Sequence, residues 1–320
     1  MEKDSKQSVG ENQENVKERI PHAEQIVVAT NFLYKNYIAL PQGEERNVGD
    51  TDGIRGDLAL KLIEQAINSG VRIVAADSGS SSDFLSVLEK LKDKSLTIVE
   101  SEIAGRAPQR RTAFEKARSL PNCKVILYTQ PEKFSLIKHL KEISKPVLEN
   151  GAHVVVLARE PNLFKESYPP YMYESEVKVN KTYDWLMRRE KLIGKDESFD
   201  WFFGPVLFAN DKNITDIFLK QYEIKGEIYS RIGAKSDPEK NSGNHYFPII
   251  EALFKKKNVV SVEIPFEYPK IQKENEMFGE SGEKSLERRT FDAAAYRLEA
   301  IEFLKLLRGE KSKIKELLAA

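Results

Sequence analysis

The sequence predicts an α/β fold built on a mostly parallel sheet, and three observations carry that prediction. Short β-branched runs recur along the first half with helical stripes between them, the alternation that βαβ units require. Turns rich in Gly, Ser, Asp and Pro punctuate these runs. The chain has 320 residues, enough for one large domain, with the less regular patterning confined to its second half.

Residues 1–22 are rich in Glu, Lys, Gln, Asn and Ser and nearly devoid of apolar side chains, so ordering them would not offset the entropy lost; a disordered tail is expected. Residues 25–30, Gln25 to Thr30, form a β-branched run that reads as a buried strand. The segment 31–56 carries Pro41, Gly43, Gly49, Gly53 and Gly56 and reads as a long connection, a kind that usually serves function or moves. A helix is expected over 57–68 from the stripe Leu58, Leu62, Ile63, Ala66 and Ile67, with Gly70 just past its end. A second strand follows at 71–76. The turn 77–83 offers several N-cap residues to a helix striped by Phe84, Leu85, Val87, Leu88 and Leu91. A third strand is expected at 96–99, a helix over 107–118 with Pro108 in its first turn, a fourth strand at 124–129, a helical stretch to about 150, and a fifth strand at 153–158. This order predicts a Rossmann-like sheet with right-handed crossovers.

The second half predicts a helix over 174–187, an aromatic-rich segment over 201–209 around Gly204 and Pro205, an amphipathic stretch over 247–255 and a strand over 259–265. Residues 285–320 predict charged amphipathic helices, with Phe291, Ala295, Leu298, Ile301, Leu304 and Leu307 on one side. No repeat or linker separates the halves. The division is therefore a tail (1–22), an α/β half (23–160), a second half of the same domain (161–284) and the C-terminal helices (285–320), which pack either on their own sheet or on a second subunit as a homo-oligomer.

Composition narrows the function. Lys plus Arg number 50 and Asp plus Glu number 50, so no global field attracts nucleic acid or an anionic membrane, and neither partner is expected. No apolar stretch approaches the roughly 20 residues that span a bilayer. The N-terminus lacks a secretory apolar core. A single cysteine, Cys123, excludes an internal disulfide framework and predicts a reducing, cytoplasmic setting.

In an open α/β sheet, ligands bind outside the carboxyl ends of the strands. That directs attention to the loops 31–56, 77–83, 101–108 and 130–133. The second begins with the acidic, Ser/Gly-rich turn Ala75-Ala76-Asp77-Ser78-Gly79-Ser80-Ser81; the third reads Gly105-Arg106-Ala107-Pro108-Gln109-Arg110-Arg111; the fourth opens with Gln130-Pro131-Glu132. In this order the loops resemble the GT-A glycosyltransferases, the family 2-like members in particular, over residues 25–208 and more weakly to 265. The resemblance implies a GT-A-like fold with an elaborated C-terminal half, a nucleotide-sugar donor and an unidentified acceptor. On its terms Thr30, Asp77, Ser78 and Gly79 belong to the donor site with Gly105, Arg106, Arg110, Gln130 and Lys133, Asp77 meeting the nucleoside and Arg106 the diphosphate.

The sequence departs from the family where an Asp-x-Asp metal motif is expected, since Gln130 offers only a neutral carbonyl and a divalent cation prefers anionic oxygen. Three alternatives follow: a Mn or Mg ion held more weakly by Glu132, completed by His245; cationic side chains, Lys133, Arg106, Arg110 and Arg111, carrying the leaving-group charge instead; or a degenerate donor site. His245 reads equally as a hydrogen-bonded loop histidine, Asp77 as turn chemistry, and the arginines as a solvated face or a phosphate site at a helix N-terminus.

Tyr168, Tyr171 and Tyr173, with Pro169, Pro170, Glu174 and Glu176, form either an acceptor-facing platform or a proline-ordered surface crossing. Asp200 reads as an acceptor-side general base or as a turn cap, with Glu174 and Glu176 as substitutes for the base. The leading expectation is sugar transfer from a nucleotide donor. A non-catalytic nucleotide-sugar-binding or regulatory protein is the alternative, and a nucleotidyltransferase a third reading.

Overall fold

The computed structural model describes residues 20–91, 93–103, 105–222, 245–278 and 296–309. The expected tail apart from 20–22, and the expected C-terminal helices over 285–295 and 310–320, lie outside the described residues.

Seven strands form one sheet: β1 (Ile26–Phe32), β2 (Arg72–Asp77), β3 (Leu96–Glu100), β4 (Val125–Tyr128), β5 (Val154–Arg159), β6 (Val206–Ala209) and β7 (Val259–Ile264), in the order β3-β2-β1-β4-β6-β5-β7. Every pairing is parallel except those of β6, which runs antiparallel to both β4 and β5. The strand expected at 259–265 is present, and the four residues of β6 lie within the aromatic-rich segment.

The helices are α1 (Thr51–Asn68), α2 (Ser82–Lys90), α3 (Arg106–Arg118), α4 (Leu140–Leu148), α5 (Pro161–Ser167), α6 (Pro170–Arg189), α7 (Lys212–Leu219), α8 (Phe247–Phe254) and α9 (Lys270–Phe278), with α10 over residues 296–309. A 3-10 segment, Pro131–His139, precedes α4. Among the described residues no helix is long and apolar enough to cross a membrane.

Strand side chains alternate between faces, so each strand feeds two apolar layers. Ile26, Val28 and Phe32 join Ile73, Leu127, Leu62, Ile63, Leu136 and Ile137 on one face. Val27 and Ala29 join Val74, Ile126, Tyr128, Phe114, Phe208 and Phe247 on the other. Burial on both faces is why the central strands read as continuous apolar runs rather than as alternating ones.

Two expectations are corrected, and over residues 296–309 one of two alternatives for the C-terminal region is found. Helix α1 starts at Thr51, not at 57: Asp50 caps it, its carboxylate accepting from Gly53 N at 2.9 Å. Gly53 and Gly56 lower helix propensity and hid this first turn. The Tyr-Pro-Pro-Tyr stretch is not a surface crossing; Pro170 opens α6 at the position where a missing N–H costs nothing. The described part of the C-terminal region, α10, lies on its own domain, burying Ala300, Phe303, Leu304 and Leu307 against the layer that holds Phe247.

Candidate functional site

The strand order reverses at β1: the chain runs outward through β2 and β3 on one side and returns to place β4 on the other. The carboxyl ends of β1 and β4 therefore flank a topological switch point, where open α/β sheets form a crevice.

At the end of β2, the Asp77 carboxylate accepts from Gly79 N at 3.0 Å and Ser80 N at 3.2 Å, and from Ser80 Oγ at 2.6 Å. Ser80 Oγ in turn accepts from Tyr34 N at 2.9 Å. Asp77 thus folds its own turn and ties it to the loop after β1. Gly79 is exposed at the tip, and Ser78 Oγ accepts from Gln109 Nε2.

A polar bridge crosses the switch point. Tyr128 Oη donates to Asn31 Oδ1 at 3.0 Å, and Asn31 Nδ2 donates to Gln109 Oε1 at 2.9 Å. Gln109 is 3% exposed and also donates to the Phe32 carbonyl at 3.4 Å. Neither Gln109 nor Asn31 was singled out from sequence. The available signal was the first turn of α3, Arg106 to Arg111, whose inward side offers polar residues where a helix facing a sheet normally offers apolar ones. Arg110 is buried with its guanidinium 5.4 Å from the Tyr128 ring, whereas Arg106 is exposed at the helix start beside Gly105, which caps without a side chain. Thr30 is buried on the opposite face of β1 from Asn31, and its Oγ1 has no hydrogen-bond partner among the described residues.

The fourth loop opens the 3-10 segment that packs against α1. Lys133, 6% exposed, donates from Nζ to Gln130 Oε1 at 2.8 Å and to Glu132 Oε1 at 3.3 Å, and lies 5.5 Å from the Phe203 ring. Gln130 rests on Gly204, where a Cβ would come within 2.3 Å of its Nε2 and where φ is +96°. Only glycine meets both conditions. Burial pushes the Glu132 carboxyl up, but the charges of Lys133 and Arg55 outweigh it and hold the group below its ordinary value. Burial pushes the Lys133 ammonium down, with Glu132 opposing. Burial also raises the Tyr34 and Tyr128 phenols, and both rings feel Glu132 and Arg106. The structure therefore brings the Asp77 turn, Arg106 and Glu132 to one rim.

A divalent ion at the Gln130–Glu132 slot does not fit the residues present. Gln130 Oε1 and Glu132 Oε1 both accept from the Lys133 ammonium, and the second Glu132 oxygen alone is too few ligands for a divalent ion. Among the described residues no group of three or more His, Cys, Asp or Glu side chains is placed to hold a metal. His245 lies in the other layer, its Nε2 3.0 Å from the Trp201 carbonyl oxygen and its ring against Phe202 and Tyr246.

Because β6 is antiparallel, the segment leading into it arrives at the same rim and delivers Asp200 beside Arg159, the last residue of β5. Arg159 donates from Nε and Nη2 to Asp200 and from Nη1 to Glu176 Oε2, each at 2.7 Å. Its guanidinium stacks 3.4 Å from the Phe164 ring centre and 5.0 Å from that of Phe203. Burial opposes the Arg159 charge, but Asp200 and Glu176 raise its pKa well above the ordinary value. Asn180 Nδ2 also donates to Asp200 Oδ1 at 2.7 Å. Both Asp200 oxygens are thus engaged as an anchor for Arg159, a residue the sequence reading missed.

Glu174 is exposed on α6. Tyr168 is buried against Tyr268, Tyr171 Oη donates to the Glu276 carbonyl at 3.2 Å, and Tyr173 packs edge-on to Phe164. A cavity of about 790 Å³ opens between α6, the 196–200 loop and β7, lined by Asn180, Lys181 and Asp200 among others.

No family model matches the chain, and no curated protein matches it. Among solved structures, a Desulfovibrio desulfuricans G20 protein assigned to the nucleotide-diphospho-sugar transferases is 8% identical, covering 88% of this chain and 97% of that one with a TM-score of 0.44. A Mycobacterium tuberculosis glucosyl-3-phosphoglycerate synthase holding Mn2+, UDP and glucosyl-3-phosphoglycerate is 10% identical, covering 86% and 80% with a TM-score of 0.45. A 4-diphosphocytidyl-2C-methyl-D-erythritol synthase from Anaerococcus prevotii is 11% identical, covering 82% and 93% with a TM-score of 0.39. At these identities and TM-scores the likeness assigns nothing to this chain's residues.

Proposed function

We propose that the chain binds a nucleotide-sugar at the β1/β4 crevice and transfers the sugar to an acceptor. The observation that carries this reading is that the Asp77 turn, the Arg106 helix start and the Glu132–Lys133 pair all stand along the carboxyl-end rim of a sheet whose order reverses there. A ribose or base meets the exposed backbone at Gly79, in a turn that the Asp77 carboxylate shapes by accepting from Gly79 N, Ser80 N and Ser80 Oγ. The start of α3, where the helix dipole favours an anion and Arg106 is exposed, suits a diphosphate. The Asn31–Gln109–Ser78 bridge holds the turn and the helix start in register, so it positions both ends of the donor.

The acceptor side in this reading is the cavity beyond Arg159, whose size falls in the range of roughly 300–1,000 Å³ usual for small-molecule sites. Its lining holds five carboxylates, Asp184, Asp196, Glu197, Asp200 and Glu263, against Arg159 and Lys181. That balance favours a neutral or cationic hydroxylated acceptor over an anionic one.

Calorimetry with a panel of nucleoside diphosphates and their sugars tests the donor site. Binding by one base series, weakened about tenfold in Gln109→Leu with the fold retained, is expected. No binding by any member ends the proposal. A second reading, a nucleotide-sugar-binding protein without turnover, is favoured by the engagement of both Asp200 oxygens with Arg159 and Asn180, which leaves that carboxylate no lone pair directed at an acceptor. Donor binding with neither transfer nor donor hydrolysis would select it; transfer that is lost in Glu132→Gln would select the first.

A further inference from the structure

We propose, resting on the reading that the crevice takes a nucleoside diphosphate, that Lys133 serves as the resident cation of the site, so that the diphosphate is bound without a divalent ion. The slot at the end of β4 is filled from within. Lys133 Nζ spans Gln130 Oε1 at 2.8 Å and Glu132 Oε1 at 3.3 Å, and a divalent ion drawing on those two oxygens would have to displace the ammonium or share them with it.

The arrangement is built rather than incidental. The Lys133 backbone N–H donates to the Gln130 carbonyl at 3.0 Å, which closes the turn that holds the two side chains together. Gln130 lies against Gly204, where any larger residue would push the amide off its place. The lysine stem is buried and its ammonium faces the Phe203 ring, so the charge has little room to swing away.

Arg55, from α1, supplies a second cation. Its charge acts on Glu132, it lies 3.6 Å from Glu276, and its Nε is buried with no hydrogen-bond partner among the described residues. A buried donor without an acceptor is costly unless a ligand completes it. A diphosphate oxygen at the slot would meet Lys133 as a point charge and Arg55 as a directional donor.

Calorimetric titration of the full-length protein with uridine, guanosine, adenosine, cytidine and thymidine diphosphates, in excess EDTA and again in excess Mn2+, tests this. The diphosphate that binds is expected to do so with a Kd equal within about twofold in both buffers, and Lys133→Met is expected to weaken it by about tenfold or more in EDTA. The double variant Gln130→Asp/Lys133→Ser should instead acquire an affinity that rises with Mn2+. If Lys133→Met does not fold, the two-buffer comparison on the unmodified protein decides alone. Wild-type affinity that rises about tenfold or more on adding Mn2+ overturns the inference and leaves the donor reading standing. Failure of every diphosphate to bind in either buffer overturns the donor reading itself, and this inference with it.

Discussion

Asp184 illustrates what burial does to a single carboxyl here. Its Oδ1 accepts from Trp201 Nε1 at 2.9 Å and from Phe199 N at 3.2 Å, yet burial outweighs both bonds and the Arg188 guanidinium 3.8 Å from Oδ2 and raises its pKa. A raised native value means the folded state holds the proton more tightly than the unfolded one, so stability falls as pH climbs from the ordinary value of 3.8 through the raised one. Asp184→Asn keeps the Oδ1 acceptor and removes the charge. Urea unfolding should find the variant at least as stable as the parent at pH 7, with the advantage shrinking toward pH 4; a loss that is equal at both pH values would show that the charge is not what burial penalises. At this scale the sequence placed Asp77, Arg106 and Glu132 along one rim, because each stands directly at a strand's end or a helix's start. It did not reveal Gln109 or Arg159, whose roles depend on partners far along the chain, Asn31 and Ser78 for one, Glu176 and Asp200 for the other.

Helix α1 shows how an element can be shaped by a contact rather than by propensity. Gly56 would gain about 1 kcal/mol of helix stability as alanine. Its Cβ would, however, lie 2.3 Å from Tyr37 Cδ2, and the Tyr37 ring is held in place by its own donation to Asp57 Oδ1 at 2.9 Å and by the Arg46 guanidinium 4.7 Å above it. Gly56→Ala is therefore expected to cost about 1–3 kcal/mol net, read from the denaturant midpoint with the slope unchanged. A variant more stable than the parent would mean that the loop carrying Tyr37 yields easily. The same contact explains why the start of α1 was not legible: glycine in a helix interior signals a break unless the neighbour that requires it is known. Pro170 is the converse case, a residue that suggested a crossing and in fact opens α6.

For the molecule as a whole, the chain's far end closes one of its two cores. Phe303 of α10 stacks on Phe247 at 4.3 Å and meets Tyr222 edge-on at 5.2 Å, Tyr183 Oη donates to the Tyr296 carbonyl at 2.8 Å, and Tyr246 donates to Glu299. Phe303→Ala should cost about 3–5 kcal/mol in thermal or urea unfolding, as truncations of buried phenylalanine do. A change under about 1 kcal/mol would mean that α10 is not part of the cooperative core. The amphipathic stripe announced that this helix must bury one face, but not against what. The alternation of apolar runs and helical stripes determined by itself that the first half forms a mostly parallel α/β sheet, because period and turn chemistry are local and survive in the linear chain. Only the tertiary structure decided the strand order, the antiparallel insertion of β6 that delivers Asp200 to Arg159, and the placing of an ammonium at the end of β4. Those outcomes depend on which distant segments share a neighbour, and a linear pattern carries no record of that.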